Sequence, residues 1–168
     1  MTTLYLVRHG ETEENASHIL QGHLPGNLSS KGIKQLESLQ QELNTIHFDI
    51  ILCSDLKRCI DSANILMKDR YIPIIYLKML RERDWGSFTG KSIPDIQSTP
   101  FPNDVESVND LLLRAKEFLD YIKINHQGKS ILAVSHGLFC RAIRSVYSNT
   151  PMKNISPMQN ATYHILTL

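Results

Sequence analysis

The sequence predicts an α/β fold, a three-layer sandwich in which helices cover both faces of a mostly parallel sheet. One observation is that short, continuous apolar runs alternate with longer amphipathic segments along the chain. Such runs are typical of strands covered on both faces, and their alternation with helices is typical of parallel sheets. A second observation is that two apolar runs end in a His-Gly pair, at His9-Gly10 and His136-Gly137. Ligands bind at the carboxyl ends of the strands in such folds, so both pairs should lie at that edge.

Three strands and two helices are predicted in the first half of the chain. The strands span residues 4–8, 50–53 and 74–77, and the helices run from about 30 to 44 and from 56 to 67. In the first helix, Ile33, Leu36, Leu39 and Leu43 recur with helical spacing. This spacing gives the helix one apolar face that can pack on a sheet.

Two further strands and two helices are predicted in the second half. The helices span 105–124 and 137–147, and the strands span 130–135 and 161–166. Before the first of these helices, Pro94, Pro100 and Pro102 predict a surface loop. Because this segment, about 88–106, follows the third strand, we expect it to form a short lid over the ligand edge of the sheet.

Composition limits the class of protein. A chain of 168 residues can bury a sizeable core, and we expect a single domain over residues 1–168. Its 18 basic and 17 acidic residues give a net charge of +1, which argues against nucleic acid or an anionic membrane as the main partner. No apolar run reaches transmembrane length and the first strand has no basic leader, so a cytoplasmic protein is expected. Cys53, Cys59 and Cys140 lack zinc-site spacing and suit a reducing compartment. No exposed apolar stripe indicates an oligomeric state.

His9 and Arg8 are the first candidate functional residues, directly after the first strand. An imidazole acts as a nucleophile when it is neutral and one nitrogen is free, while a partner fixes the tautomer through the other nitrogen. Backbone carbonyls near Gly10 can supply that partner. A charged residue at the end of a buried strand needs a partner, and a guanidinium matches phosphate oxygens. A lone histidine is more often a hydrogen-bonded core residue, so this prediction depends on its neighbours.

The other strand ends carry similar candidates. Arg58 falls in the first turn of the helix after the second strand, where free N–H groups favour anions. His136 opens another helix, and Gly137 lets its N–H approach an anion without a side chain in the way. Glu82 follows the third strand and can protonate a leaving oxygen and later activate water. Alone, Arg58 fits a solvated surface charge equally well, and Glu82 alone fits a surface charge better than a catalytic role. Together with two histidines, they predict chemistry on an anion.

Taken in order, these motifs resemble those of the histidine phosphatase superfamily, also called the phosphoglycerate-mutase-like family. The first strand followed by Arg-His-Gly-Glu-Thr is similar to the family signature, and the later motifs follow in the family's order. The matching residues are Arg8-His9-Gly10-Glu11-Thr12, Asn15, Gln21-Gly22, Leu28-Ser29, Gly32, Gln35, Ser54-Asp55-Leu56-Lys57-Arg58, Leu80-Arg81-Glu82, Trp85-Gly86, Gly90, Glu106-Ser107, Arg114 and Val134-Ser135-His136-Gly137. The resemblance covers nearly the whole chain.

The resemblance implies roles for ten of these residues. His9 would accept the phosphoryl group. Arg8, Arg58 and His136 would clamp the phosphate, and Glu82 would be the general acid and then the general base. Five further residues would bind substrate or phosphate, with Glu106 supporting the acid segment or the clamp. These remaining residues are Asn15, Gln21, Gly22, Gly137 and Glu106.

The implied activity is metal-independent hydrolysis of phosphomonoesters through a phosphohistidine. The two arginines and a protonated His136 would stabilise charge on the equatorial oxygens, so neither a metal nor a cofactor is expected. The expected partners are small-molecule phosphomonoesters such as sugar phosphates, phosphoglycerate, phosphoserine or an α-ribazole-type phosphate. Five apolar residues fit either contact with the leaving group or packing within the lid. They are Trp85, Phe88, Ile93, Ile96 and Phe101.

Departures from the family pattern favour hydrolysis and mark two divergent loops. The mutase branches carry longer insertions after the acid motif than residues 90–106 provide, and a shallow cap lets water compete with a second hydroxyl. The first loop has Pro25-Gly26-Asn27-Leu28 where the family usually has Asp-x-Pro-Leu. Asp104-Val105 precede Glu106 where the family prefers glycine.

Other interpretations stay open. A phosphoglycerate-type mutase and a protein phosphohistidine phosphatase are the alternatives within the superfamily, although the latter branch typically has alanine in place of Thr12 and lacks the acid. A cysteine-dependent phosphatase would need one more residue between Cys53 and Arg58. The other five histidines, His18, His23, His47, His126 and His164, show no metal-ligand spacing. A phosphoester-binding module without activity would use the same residues.

Overall fold

A five-stranded sheet organises the fold of the computed structural model, which describes all residues from Met1 to Leu168. The spatial order of the strands is β3-β2-β4-β1-β5. They are β1 (Thr3–Arg8), β2 (Ile50–Cys53), β3 (Ile74–Tyr76), β4 (Ser130–Ser135) and β5 (Tyr163–Thr167). The first four are parallel, and β5 pairs antiparallel with β1. The predicted mostly parallel sheet is confirmed.

Helices cover both faces of this sheet, as predicted. They are α1 (Glu13–Ala16), α2 (Ser30–Leu43), α3 (Lys57–Leu66), α4 (Ile93–Ile96), α5 (Val108–Asn125) and α6 (Gly137–Ser148). Short 3₁₀ turns lie at Lys78–Leu80, Gly86–Phe88 and Met152–Asn154. Helices α2 and α3 pack on one face, and α5 and α6 pack on the other. None of the helices is both long and apolar enough to cross a membrane.

Alternation within the strands explains why their sequences are continuously apolar. In β4, Ile131 and Ala133 join the core under α5 and α6, whereas Leu132 and Val134 join the core under α2 and α3. Successive side chains of a strand point to opposite faces, so a strand covered on both faces needs apolar residues at every position. The two cores therefore fix the sheet between two helical layers and leave its carboxyl edge for the polar residues.

Local capping and backbone geometry shift several predicted boundaries. Helix α5 begins at Val108 rather than at residue 105, because the Ser107 side chain caps it by accepting a hydrogen bond from the Asp110 N–H. Strand β5 begins at Tyr163 rather than at residue 161, because Ala161 has a left-handed φ of +52°. The predicted proline-rich loop contains α4, with Pro94 in its first turn, where proline is tolerated. Helix α1 was not predicted and is stabilised by a capping box between Thr12 and Asn15.

Candidate active site

The carboxyl ends of β1 and β4 bring the two His-Gly pairs together. These strands are neighbours, and Arg8 is in register with Ser135, so His9 and His136 follow at the same edge of the sheet. Their ring centroids are 5.2 Å apart. The two residues are only 3% and 0% exposed. Two imidazoles that are remote in sequence therefore lie next to each other in a buried part of the sheet edge.

The His9 ring is held as a single neutral tautomer. Its Nδ1 lies 2.7 Å from the carbonyl oxygen of Gly10, and a carbonyl can only accept, so Nδ1 carries the proton and Nε2 is free. Burial lowers the pKa of His9 well below 6.5, and the positive charges of Arg58 and Arg8 lower it further. An unprotonated Nε2 at neutral pH is what a nucleophilic imidazole requires.

The His136 ring is also neutral when no anion is bound. Burial lowers its pKa well below 6.5, and the charge of Arg58 adds to this effect. Its Nε2 lies 2.8 Å from the Ser54 hydroxyl. A protonated ring beside buried arginines needs a nearby negative charge. His136 is therefore expected to be protonated when the site holds an anion, because without the anion no sufficient negative charge lies near the ring.

Arg58 is held from behind by the loop that follows α1. It is 1% exposed, and its Nη2 donates to the carbonyl oxygen of Gly22 at 2.8 Å while its Nη1 donates to that of Leu24. Its Nε is buried and has no acceptor within the protein. Gly22 has a φ of +51°, and Thr89 lies within 3.0 Å of where a Cβ would be, so this turn requires glycine. Gly22 thus positions Arg58 through its backbone.

Arg8 lies on the start of α6. Its Nη1 donates to the carbonyl oxygen of Met158 at 2.6 Å, and its Nε, like that of Arg58, is buried without an acceptor. A Cβ on Gly137 would come within 3.0 Å of the Arg8 guanidinium carbon, so glycine makes room for this side chain. A buried donor without a partner costs about 1–3 kcal/mol. Oxygens of a bound anion can accept from both guanidinium groups and remove that cost.

Glu82 lies at the amino end of α6, next to His136. Its carboxylate accepts hydrogen bonds from the backbone N–H groups of Leu138 at 3.2 Å, Phe139 at 3.1 Å and Arg83 at 2.8 Å. A helix amino terminus favours a negative charge at this position. The same carboxylate raises the pKa of the Arg8 and Arg58 guanidinium groups, against the larger effect of their burial. Glu82 therefore belongs to the same charged cluster as the two arginines.

Glu106 contacts the acid segment and not the arginine clamp. Its carboxylate accepts from Arg114 Nε at 2.9 Å and Nη2 at 2.8 Å, and from the backbone N–H of Asp84 at 3.0 Å. Arg114 also donates to the carbonyl oxygens of Met79 and Arg81, and its guanidinium stacks 4.1 Å from the Phe139 ring centroid. Of the two roles expected for Glu106, these contacts match support of the acid segment.

Asn15 and Gln21 lie at the edge of the site with different environments. The Asn15 Oδ1 accepts from the Thr12 N–H at 3.1 Å and from the Asn160 side chain at 3.4 Å, so its NH₂ group is the part that can donate to a ligand. Gln21 is 7% exposed, and its Oε1 packs against Gly26 without a hydrogen-bond donor. Gln21 lies beside the Arg58 side chain, so it lines the wall behind the clamp.

Two cavities flank the acid segment. A polar cavity of about 520 Å³ includes His23, Arg81, Glu106 and Arg114 in its lining. The His23 Nε2 lies 2.9 Å from the carbonyl oxygen of Glu82, which places this cavity next to the Glu82 backbone. An apolar cavity of about 210 Å³ is lined by Leu20, Gln97 and the five apolar residues singled out in the sequence, Trp85, Phe88, Ile93, Ile96 and Phe101. Phe101 makes edge-on contacts with Trp85 and Phe88, so these residues also pack on one another.

The cysteines are unsuited to act as nucleophiles. Cys53 is 0% exposed, and burial raises the pKa of its thiol. Burial also raises the pKa of Cys140 to about 12. Reactive cysteines need a thiolate and access to substrate. No group of three or more His, Cys, Asp or Glu side chains lies close enough together to hold a metal ion.

Several residues that organise the site could not be assigned from sequence. The Ser62 hydroxyl accepts from the Gly10 N–H at 3.1 Å and donates to the Arg58 carbonyl at 2.6 Å, which connects the turn after β1 to helix α3. Asn160 lies 151 residues from its acceptor, the His9 carbonyl oxygen. The only sequence feature that could have indicated Ser62 is a serine on the buried face of α3. No local sequence feature indicates Asn160.

Gly137→Ala is expected to weaken phosphate binding. The new methyl group displaces the Arg8 guanidinium, and loss of one hydrogen bond to a charged group corresponds to a rise of about 10-fold or more in the inhibition constant of phosphate. Gly128→Ala is the control, because nothing lies within 4 Å of a Cβ there, although its φ of +77° makes alanine strained. The control should lose stability and keep phosphate affinity. Equal phosphate inhibition in the Gly137 variant and the parent would contradict the assignment of Arg8.

Comparison with known proteins agrees with this geometry. The family model described as "Histidine phosphatase superfamily (branch 1)" matches residues 4–168. The adenosylcobalamin/alpha-ribazole phosphatase of Escherichia coli is 28% identical over 147 residues, which cover 79% of this chain and 72% of that protein. The metal-independent phosphoserine phosphatase of Arabidopsis thaliana is 32% identical over 160 residues, covering 85% and 67%. The solved structure of Bacillus stearothermophilus YhfR superposes with a TM-score of 0.94 at 28% identity, covering 100% of this chain and 92% of that one.

Proposed function

The chain belongs to the histidine phosphatase superfamily, and from this premise we propose that it hydrolyses phosphomonoesters of small metabolites through a phosphohistidine on His9. The observation that carries the proposal is the single neutral tautomer of His9, with its free Nε2 in a cluster with two buried arginines. Each arginine has a buried Nε–H without an acceptor. The named relatives are phosphatases, which supports a phosphoric monoester hydrolase.

In the first half-reaction, His9 is the nucleophile. The Nε2 lone pair attacks phosphorus in line with the leaving oxygen, the P–O bond to the alcohol breaks, and the Glu82 carboxyl group gives its proton to that oxygen. Negative charge spreads over the three equatorial oxygens, where Arg8, Arg58 and His136 stabilise it. A bound phosphate also supplies the negative charge that favours a protonated His136.

In the second half-reaction, water replaces the alcohol. A water molecule attacks phosphorus, the P–Nε2 bond breaks, and the Glu82 carboxylate takes the water proton. This step returns neutral His9 and protonated Glu82, so the cycle balances. Glu106 and Arg114 act indirectly, because they hold the backbone on both sides of Glu82.

The polar cavity beside Glu82 is the proposed place for the leaving group. It includes His23, which contacts the Glu82 backbone, and it carries several charged side chains. One of the named relatives is a phosphatase of phosphoserine and another of alpha-ribazole phosphate, which supports small phosphorylated metabolites as the substrate class. We also propose that segment 88–106, which carries the apolar cavity, borders the entrance as a short lid.

The experiment that tests the proposal is phosphate release from a panel of phosphomonoesters in the presence of a chelator. The panel contains phosphoserine, 3-phosphoglycerate, sugar phosphates and an α-ribazole-type phosphate. We expect phosphate release that is unchanged by the chelator, because protein side chains supply all the positive charge that the reaction needs. Release that requires an added divalent metal would contradict the proposal. Tight binding of a phosphoester without release would indicate a binding module, and conversion of 3-phosphoglycerate to its isomer would indicate a mutase.

A further inference from the structure

The segment between α6 and β5 contacts the candidate active site at several points. The carbonyl oxygen of Met158 accepts from Arg8. The Asn160 Nδ2 lies 3.2 Å from the carbonyl oxygen of His9 and 3.4 Å from the Oδ1 of Asn15. We propose that Asn160 is a positioning residue that keeps the His9 ring in its reactive tautomer, an inference that builds on the proposed role of His9 as nucleophile.

The peptide bond between His9 and Gly10 is the element that Asn160 holds. Its carbonyl oxygen accepts from Asn160 and, at 3.1 Å, from the backbone N–H of Ala161. Its N–H donates to the Ser62 hydroxyl on the opposite edge of the same planar group. The peptide plane is therefore held from both sides, by α3 on one side and by the segment before β5 on the other.

The orientation of this peptide plane decides the tautomer of His9. The next carbonyl along the chain, that of Gly10, accepts from the His9 Nδ1 and so leaves Nε2 free. If the plane turned, the Gly10 carbonyl would move relative to the ring, and Nδ1 would lose its acceptor. The proton could then occupy either nitrogen. Asn160 acts on His9 through this backbone and does not touch the reacting atoms.

Asn160 also connects His9 to Asn15, and only a side chain with two donors can do both. An amide nitrogen carries two N–H groups, and both neighbours, the His9 carbonyl and the Asn15 Oδ1, are acceptors. Because Asn15 Oδ1 is engaged on its other side by the Thr12 N–H, the position of the Asn15 side chain is also set. An aspartate at position 160 has the same shape but would present oxygen to both acceptors.

The backbone next to Asn160 is bent to make these contacts. Ala161 has a φ of +52°, in the left-handed region that residues with a Cβ rarely adopt. In this conformation its N–H donates to the carbonyl oxygens of both Arg8 and His9, at 3.0 and 3.1 Å. An unusual conformation maintained beside His9 agrees with a segment whose function is to hold the end of β1.

The test compares Asn160→Ala and Asn160→Asp with Asn125→Asp as a matched control. Asn125 is exposed at the end of α5, and its Nδ2 also donates to a backbone carbonyl, that of Tyr121. The first readout is kcat and KM on the best substrate. The second is the nitrogen NMR spectrum of the His9 ring, which distinguishes a proton on Nδ1 from one on Nε2.

We expect both Asn160 variants to lose about 10- to 100-fold in kcat, in line with the cost of small misplacements in active sites, while the inhibition constant of phosphate changes little because the arginine clamp remains. The His9 spectrum should change from the Nδ1–H form to a mixture of tautomers. The Asn125 control should match the parent in both readouts. Folded Asn160 variants with parental kcat and a pure Nδ1–H signal would overturn the inference. If the unaltered protein has no phosphatase activity, a tautomer mixture in the variants still supports positioning, and the proposed function alone fails.

Discussion

His9→Ala is expected to abolish turnover, with kcat reduced by at least about 10³-fold on every phosphomonoester that the unaltered protein cleaves. His9 carries a free Nε2 beside two buried guanidinium groups. His136 cannot replace it, because its Nε2 is engaged with the Ser54 hydroxyl. Phosphate release in chelator is the measurement, and His47→Ala is the matched control, since the His47 side chain is 83% exposed at the amino end of β2, away from the site.

The His9 variant should lose chemistry and keep binding. Arg8, Arg58 and His136 do not depend on the His9 ring for their hydrogen bonds to the protein. Inorganic phosphate should therefore still raise the melting temperature of His9→Ala, because a ligand that binds only the folded state stabilises it. Acid quenching of the unaltered protein with labelled substrate should trap a phosphorylated chain that the variant does not form. A variant that turns over near the parental rate would show that another group is the nucleophile.

The pattern of apolar runs predicted the sheet because a strand that is buried on both faces needs an apolar residue at every position. Strands 50–53 and 130–135 were predicted with the bounds that the structure shows, and both are covered by helices on two sides. The antiparallel direction of β5 was not predicted, because a short apolar run has the same appearance in either direction. The start of α5 was predicted three residues too early, since the Ser107 cap decides it against residues that are themselves compatible with a helix.

The candidate site was predictable where topology alone brings residues together. His9 and His136 meet because parallel strands end at one edge of a sheet, and that edge is fixed once the strands are identified. The residues that position these rings contact them from segments that are distant in sequence. Asn160 lies next to His9 because β5 pairs with β1, and no local sequence pattern encodes that pairing.

Electrostatics determines when His136 carries the proton that the sequence predicts. In sequence, a histidine beside an expected anion suggests an imidazolium. In the folded protein, burial and the charges around it lower the pKa of His136 below its ordinary value. The free site already contains two buried arginines, whose own pKa values are lowered by burial. A third positive charge is favourable only when phosphate is bound, so protonation of His136 and binding of an anion should be coupled.

Glu82 provides a negative charge that faces both arginines, since it raises the pKa of both. A phosphate dianion that enters the site meets two attractive groups and one repulsive carboxylate. A proton on Glu82 removes the repulsion and also supplies the acid that the leaving alcohol needs.

Glu82→Gln is expected to separate the two half-reactions. Gln cannot give a proton to an alkoxide, so kcat on alkyl phosphates should fall by about 10²- to 10⁴-fold, the usual contribution of general acid–base catalysis. The inhibition constant of phosphate should stay the same or decrease, because the substitution removes a carboxylate near the arginines and leaves them in place. The control is Glu117→Gln, on the exposed face of α5, which makes the same chemical change. It should leave both kcat and the inhibition constant of phosphate unchanged.

An aryl phosphate such as p-nitrophenyl phosphate distinguishes the role of Glu82 as acid from its role as base. Its leaving group departs without a proton, so the first half-reaction should remain fast in Glu82→Gln. The second half-reaction still needs a base to take the water proton, and it should be slow. The variant should thus release one equivalent of nitrophenol in a burst and accumulate phosphohistidine, while alkyl phosphates give no burst. Steady parental turnover of both substrates would remove Glu82 from the mechanism. If Glu82→Gln cleaved phosphohistidine at the parental rate and the parent were inactive on alkyl phosphates, the chain would act on phosphorylated proteins.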